Sequence, residues 1–344
     1  MPTLPDGSAL RQKAFVGAYY AQHEAIRLSL IGAHRLLAAF AANRKRPDGA
    51  VVANVERRYR DLLQRDVDDA RAGYYPVSLC FSLPFRRYAR QLPKLALDVP
   101  RILWRRKRKN FRDLPPDLDL SGFPAYYRRT FHWQTDGYLS ARSASLYDVG
   151  VEFLFAGCAD VMRRRVIPPI ARFGAENGRL RVLDVGCGTG RTLLQLARSL
   201  PEHAYAGVDL SPYYVFEARA ALQSSGVRLV SANAEALPFG DGEFDAVVSV
   251  FLFHELPRRT RRDVLGEIRR VLRPGGLLIV EDSVQTADAA ELGVVLENFS
   301  RDMHEPFYED YIRDDLESLF DECGFTVRGS ESCFVAKLVE GARR

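Results

Sequence analysis

Five cysteines in 344 residues, Cys80, Cys158, Cys187, Cys323 and Cys333, include no Cys-x-x-Cys pair. An odd, scattered set excludes a disulfide framework and a cysteine-built zinc site, and it points to a reducing compartment. No clustered spacing of Cys, His and carboxylates emerges either, so no metal is expected. Long apolar runs are missing. The most apolar early stretch, Leu28 to Ala42, carries His34 and Arg35, and Met1 is followed by Pro2, Asp6 and Gly7. Neither a transmembrane helix nor a signal peptide is therefore expected. No internal repeat is apparent. What is present, 47% hydrophobic residues at a mean hydropathy of -0.19, describes a soluble, cytoplasmic chain long enough for two domains or for one domain with a large extension.

Charge is uneven along the chain. Residues 1–170 hold 29 Lys and Arg against 16 Asp and Glu, a balance of +13, whereas the remainder holds 20 against 28, a balance of -8. The excess is densest at Trp104-Arg-Arg-Lys-Arg-Lys-Asn-Phe111. A solvated helix end is the plainest account of that run. The neighbouring Leu95, Leu97, Val99, Ile102 and Leu103 make peripheral membrane contact through residues 95–111 the next. Nucleic acid comes last, because no repeated basic and aromatic platform extends beyond the run.

The first half reads as helical and irregular. Residues 9–43 have helical apolar spacing, Asn43 to Gly49 break it, and a second helix is expected over Val51 to Ala72. Pro84, Pro93 and Pro100 are expected to cut the following chain into short amphipathic pieces, up to the linker at Pro115 and Pro116.

The second half carries the chemistry. Residues 182–190 read Val-Leu-Asp-Val-Gly-Cys-Gly-Thr-Gly: a short apolar strand, a tight turn of glycines, then helical spacing from Thr189 to Leu200. Asp209 ends the next strand-like run, nineteen positions after Gly190, where a carboxylate can accept both hydroxyls of a ribose. A dinucleotide fingerprint would need a glycine at position 191, and this chain has Arg191. Asp184, two residues before the first glycine, would repel a pyrophosphate yet attract the ammonium of a methionine moiety. A cationic nucleoside ligand fits this loop better.

With those residues the chain resembles the class I S-adenosylmethionine-dependent methyltransferases. Ser231-Ala-Asn-Ala-Glu-Ala-Leu-Pro-Phe239, Phe244-Asp-Ala-Val-Val-Ser-Val-Phe251 and Val271-Leu-Arg-Pro-Gly-Gly-Leu-Leu-Ile-Val280 follow in the family's order and spacing. The branch it is similar to is the small-molecule one that includes the ubiquinone and menaquinone C-methyltransferases, over residues 171–340. The resemblance implies an α/β fold, a doubly wound seven-stranded mostly parallel sheet ordered 3-2-1-4-5-7-6, preceded here by an N-terminal helical domain. Two β-prone runs, Phe325 to Ser330 and Ser332 to Val339, suit its final antiparallel hairpin. The division expected is a helical domain over 1–125, a lid or linker segment over 126–170 and the cofactor-binding domain over 171–344.

The cofactor implied is S-adenosylmethionine, with S-adenosylhomocysteine as product. Asp184, Gly186, Cys187, Gly188, Gly190, Asp209, Leu210, Asn233, Ala234 and Phe251 are the candidate cofactor residues, Leu210 covering the adenine and Asn233 accepting from its amino group through its side-chain oxygen. His254 and Glu255 follow the fourth strand at the carboxyl edge of the sheet, and either can take a proton from an acceptor; His254 is the preferred base. The Asn/Asp-Pro-Pro-aromatic motif of base-directed amino-methyltransferases is absent there. In enzymes of this kind the segment before the first strand closes over the site, so His132, Trp133, Gln134, Asp136 and Tyr138 are lid candidates, with His304 and Tyr308 as further acceptor-side residues. The function expected is methyl transfer to the carbon or oxygen of a small, lipophilic acceptor. A methyltransferase for RNA or protein docked by the basic half, and a non-catalytic cofactor-binding scaffold, are the competing readings.

Overall fold

The computed structural model describes residues 7–39, 48–223 and 225–344, the side chains of 7–10, 31–39 and 301 excepted. The expected break at Asn43 lies outside them in its residues 43–47. Helices α1 (Gly7–Ala39) and α2 (Gly49–Arg71) lead the chain. Asp48 starts α2 by accepting from the Val51 N–H at 2.8 Å, and the helix buries Tyr59, Leu62, Leu63 and Val67 on one stripe.

The next helix corrects the sequence reading. Instead of short pieces there is one helix, α3 (Phe85–Arg108), with Pro93 and Pro100 inside it. Both prolines are exposed, as are Ala89 and Ala96 four residues before each. The carbonyls that lose a backbone partner therefore lie on the solvent side, where water replaces the missing bond, and the penalty for an interior proline is at its smallest. The basic run at its end also differs from expectation. Arg105 is fully buried, donating to Asp113 (2.7 Å), the Trp133 carbonyl (3.2 Å) and Thr135 Oγ1 (3.1 Å), and Arg106 pairs with Asp302 at 2.6 Å.

An irregular stretch follows, then α4 (Ala141–Leu154), α5 (Ala159–Arg163) and α6 (Ile167–Asn177). The α/β part alternates β1 (Arg181–Val185), α7 (Arg191–Ser199), β2 (Ala204–Asp209), α8 (Pro212–Ala221), β3 (Arg228–Ser231), β4 (Phe244–Val250), α9 (Arg258–Val271) and β5 (Leu272–Ser283). After α10 (Gly293–Met303), α11 (Tyr308–Tyr311) and α12 (Leu316–Glu322), the hairpin β6 (Phe325–Cys333) and β7 (Ala336–Arg343) closes the chain. The sheet has seven strands in the order β3-β2-β1-β4-β5-β7-β6, with β7 antiparallel to both neighbours, as the resemblance implied. Strand order reverses between β1 and β4, which opens a crevice at their carboxyl ends.

Successive strand residues feed opposite layers, as the two-residue period requires. Val182, Ala246, Val248, Leu277 and Ile279 join one core with α1, α2, α6 and α7, while Leu183, Val247, Leu278 and Val280 join the other with α9 and α12. The N-terminal helices thus share a continuous apolar core with the sheet. A buried ion pair anchors them there: Asp66 on α2 receives both Arg164 Nε (2.7 Å) and Nη2 (2.6 Å), and accepts from the hydroxyls of Tyr19 (2.6 Å) and Tyr75 (2.8 Å). Burial alone would push the Asp66 carboxyl up; the Arg164 guanidinium outweighs it and holds it below its usual value. No helix among the described residues is long and apolar enough to cross a membrane.

Removing one partner of this pair leaves the other charge buried alone. Arg164→Met is expected to lower unfolding free energy by about 3–5 kcal/mol, read as a lower urea midpoint, whereas Arg57→Met, at an exposed ion pair with Asp61, should shift it by less than about 1 kcal/mol. Equal midpoints for the two variants would remove the anchoring role.

Candidate active site

The carboxyl ends of β1, β2 and β4 meet in a pocket of about 1040 Å³, its open mouth included. The chain leaves β1 just after Asp184 and Val185, and Gly186, Gly188 and Gly190 all take positive φ in the turn that follows. Two of these glycines are needed for different reasons. A Cβ on Gly188 would meet nothing closer than Tyr214 at 4.0 Å, so that position faces open space where a ligand can approach, whereas a Cβ on Gly190 would meet Leu222 at 2.9 Å, so that one lets α7 pack on α8. Thr189 is fixed by donating to Asp148 on α4 at 2.6 Å.

Asp184 is 1% exposed, and neither of its carboxylate oxygens has a hydrogen-bond partner. Burial pushes its carboxyl up to about 8, the charge of Asp209 adds to this, and the Arg163 guanidinium opposes it. Asp209 accepts from the N–H of Gly188 at 2.9 Å and of Ser211 at 2.8 Å, which orients its carboxylate; burial still raises it to about 6. Arg163 lines the pocket and pairs with Asp160 at 3.0 Å, and Asp160 also holds Arg191. An unpartnered buried carboxylate, a second one at the end of β2 and a backbone turn with room in front of Gly188 fit the ammonium and ribose of S-adenosylmethionine, and Arg163 is placed for a ligand carboxylate. Cys187, Leu210, Asn233, Ala234 and Phe251 also line the pocket. Asn233 Oδ1 already accepts from the Glu235 N–H at 3.0 Å, which leaves one lone pair for an adenine amino group.

The other side of the pocket is aromatic. Tyr126, Tyr127, Phe131, Tyr138, Tyr147 and Tyr214 line it, brought from the segment before α4, from α4 and from α8. Tyr138 stacks on Phe131 (5.3 Å between centroids) and meets Tyr147 and Tyr214 edge-on (6.0 and 5.5 Å). The cap is latched to the cofactor side: Ser211 Oγ donates to the Tyr138 carbonyl at 2.6 Å.

Behind Tyr138 lies a charged cluster. The Tyr138 hydroxyl donates to Glu255 Oε1 at 2.5 Å and lies 2.9 Å from His132 Nε2, while His132 Nδ1 lies 2.8 Å from Glu305. Burial alone would lower the His132 imidazole, but Glu305 and Glu255 hold it up to about 10, so it is an imidazolium near neutrality. Donor atoms of His132, Glu255 and Glu305 lie within 4.8 Å of one another, a spacing a cation can also use; here the imidazolium supplies the positive charge. Positive φ at His132, Trp133, Asp136 and His304 shows that the backbone is bent to make this arrangement.

His254 and Glu255 separate in role. Glu255 lines the pocket. His254 is buried behind it, its Nδ1 2.6 Å from Asp282, and Asp282 lifts it to about 9 against the effect of burial. Asp282 also accepts from the Phe253 N–H at 2.6 Å, so it organises the turn after β4. Of the lid candidates, Tyr138 faces the pocket and His132 backs it. Trp133 is buried, donating to the Asp302 carbonyl at 2.9 Å, Gln134 donates to the Gly137 carbonyl at 2.9 Å, and Asp136 sits in the turn. His304 stacks on Phe111 at 4.9 Å, and Tyr308 bonds Ser283 at 2.6 Å, both outside the pocket lining. Sequence reasoning missed Arg163, Tyr127, Tyr147, Tyr214 and Glu305. The pairs Tyr126-Tyr127 and Tyr213-Tyr214, each within two residues of a proline, were the available signal.

Comparison with known proteins agrees with the geometry. The methyltransferase-domain family matches residues 182–276. A demethylmenaquinone methyltransferase of Thermus thermophilus is 37% identical over 139 residues, 40% of this chain and 60% of that protein. A fatty-acid O-methyltransferase of Mycolicibacterium smegmatis is 40% identical over 112 residues, 32% and 40% of the two chains. An uncharacterized methyltransferase of Synechocystis sp. is 32% identical over 162 residues, 46% of this chain and 72% of that one. The chain thus spans 60% and 40% of the length of the first two relatives.

The Asp184 environment makes a prediction with a definite sign. In the folded chain its carboxyl keeps a proton up to about pH 8, against an ordinary value of 3.8, so stability falls as pH rises between those values. Asp184→Asn removes that fall. The variant's thermal midpoint should exceed that of the parent at pH 8 and nearly match it at pH 4, while its affinity for S-adenosylmethionine drops; a variant less stable at pH 8 would contradict the assignment.

Proposed function

We propose, from the premise that this chain belongs to the methyltransferase family, that it transfers a methyl group from S-adenosylmethionine to the oxygen or carbon of a small, lipophilic acceptor. The observation that carries the reading is the aromatic-walled pocket lined by Gly186, Gly188 and Asp209, with the unpartnered Asp184 buried two residues before Gly186 and just outside that lining. Bound S-adenosylmethionine supplies an electrophilic methyl on a sulfonium. Asp184 and Arg163 would hold the methionine end, and Asp209 the ribose. The tyrosine wall would exclude water and present ring faces to positive charge. Burial keeps Tyr127, Tyr138 and Tyr214 neutral, their hydroxyls raised well above the usual value, so they orient and do not act as bases.

Glu255 is the pocket's proton acceptor in this reading. It lines the cavity, accepts from Tyr138, and has His132 3.4 Å away to balance its charge. His254, held as an imidazolium by Asp282, positions the turn that carries Glu255. The relatives named for lipid-like substrates, a demethylmenaquinone and a fatty acid, support a lipophilic acceptor. The division into a helical part over 1–125, a cap over 126–170 and a cofactor part over 171–344 belongs to the same proposal as a division of roles. So do a cytoplasmic location at the inner membrane face and peripheral contact through residues 95–111.

Two substitutions separate cofactor from chemistry. Asp209→Ala should weaken calorimetric binding of S-adenosylmethionine about tenfold or more. Glu255→Gln should leave that binding within about twofold and lower turnover of a phenolic or fatty-acid acceptor by about 10²-fold or more. Unchanged turnover in Glu255→Gln would retire the base, and NAD binding in place of S-adenosylmethionine would retire the function.

A further inference from the structure

Among the described residues, most of the large exposed apolar side chains lie in one stretch of the chain. The described residues expose nine large apolar side chains, and six of them, Val77, Phe81, Phe85, Leu92, Leu97 and Trp104, fall between residues 77 and 104. Leu97 is 77% exposed, Phe85 49%, Leu92 46% and Trp104 41%. At 3.6 residues per turn, Phe85, Leu92, Pro93, Leu97, Pro100 and Trp104 share an arc of about 140° on α3. Arg90, Lys94, Arg101 and Arg108 line one edge of that arc.

Charge on the helix is one-sided. Between Phe85 and Arg108 the only acidic residue is Asp98, which is buried and paired with Arg142 at 2.5 Å. Arg86, Arg90, Lys94, Lys107 and Arg108 have no carboxylate partner among the described residues. An apolar arc with Arg90, Lys94 and Arg108 along one edge and Arg86 and Lys107 at its two ends along the helix, with no exposed acid on the helix, matches the boundary between acyl chains and anionic headgroups. A soluble acidic protein would satisfy the cations but leave Leu97 and Trp104 without a reason to protrude together.

The opposite face of α3 is built into the active-site cap. Gln91 donates to the Ser145 carbonyl on α4, Asp98 holds Arg142, and Arg105 holds the Trp133 carbonyl and Thr135, flanking the turn that carries His132 and Tyr138. One helix therefore has water-facing apolar side chains on one side and the cap on the other.

We propose that the outer face of α3 docks on a bilayer surface bearing anionic lipids, so that the cap its inner face supports opens toward the lipid phase. Its purpose rests on the lipophilic-acceptor reading, while the surface itself stands on exposure and charge. The footprint differs from the run 95–111: it begins near Phe81, and it leaves out Arg105 and Arg106, which point inward.

The chain carries its own reporter. Of its two tryptophans Trp133 is buried and Trp104 is on the proposed face. The full chain should float with vesicles of phosphatidylcholine plus phosphatidylglycerol and much less with phosphatidylcholine alone, with a blue shift of tryptophan emission that Trp104→Phe abolishes. Leu97→Glu and the pair Arg90→Glu, Lys94→Glu should each weaken flotation about tenfold. Calorimetric binding of S-adenosylmethionine by the same samples should be unchanged, which shows that they are folded. Absence of flotation, or flotation that ignores these substitutions, overturns the proposal. So does concentration-dependent dimerisation that Leu97→Glu abolishes, since the face would then pair two copies. Vesicle binding without S-adenosylmethionine binding would sink the enzymatic reading and leave the surface standing.

Discussion

A carboxylate at the end of β1, buried without a hydrogen-bond partner, is the constraint around which the rest of this molecule is arranged. Leaving Asp184 in that state costs about 1–3 kcal/mol relative to a satisfied group, and no local feature of the strand requires it. The position lies beside the crevice between β1 and β4, where the proposed ligand would bring a cation. Much of the surroundings serves the same end. Asp160 pairs with both Arg163 and Arg191, Asp148 fixes Thr189, and Gly190 lets the turn close against α8.

Charge in the cap follows from the same logic. His132 and His254 are held as cations, with Glu255 and Glu305 beside the first and Asp282 beside the second. Of this cluster Glu255 lines the pocket, where the proposed ligand would bring one positive charge. In the proposed transfer the ligand would lose its positive charge as the acceptor gives up a proton, and Glu255 is the pocket residue placed to take that proton, which would limit the electrostatic penalty in a medium of low dielectric.

What was legible in the sequence was local. The glycine turn, Asp184, Asp209 and the final hairpin each lie within a few residues and follow a period of two or a demand for positive φ, so pattern alone located them. The aromatic wall and Glu305 were not legible, because they come together only in three dimensions: Tyr214 reaches Tyr138 across 76 positions, and Glu305 reaches His132 across 173. His254 is singled out by residue type, whereas its neighbour Glu255 is the one that lines the pocket, and the 2.6 Å contact to Asp282 shows that Nδ1 of His254 is already committed. The misreading of α3 had a different source. Proline was weighed as a helix breaker everywhere, although its penalty depends on whether the freed carbonyls can reach water.

The basic half of the chain then takes on a different meaning from the one its composition suggests. Its excess of positive charge reads as a docking surface for a macromolecule until the individual residues are placed. Arg105, Arg106, Arg163, Arg164 and Arg165 are turned inward on Asp113, Asp302, Asp160, Asp66 and Asp69. They hold helices to the sheet and the cap to the site. Of the cations left outside, Arg86, Arg90, Lys94, Lys107 and Arg108 sit on α3 beside apolar side chains, while others such as Lys13, Arg60, Arg112 and Arg128 are scattered over separate elements, a distribution poorly suited to tracking a phosphate backbone, which needs an extended charged stripe and stacking platforms. Placement, not count, therefore favours a small acceptor reached at a lipid surface over a nucleic acid substrate.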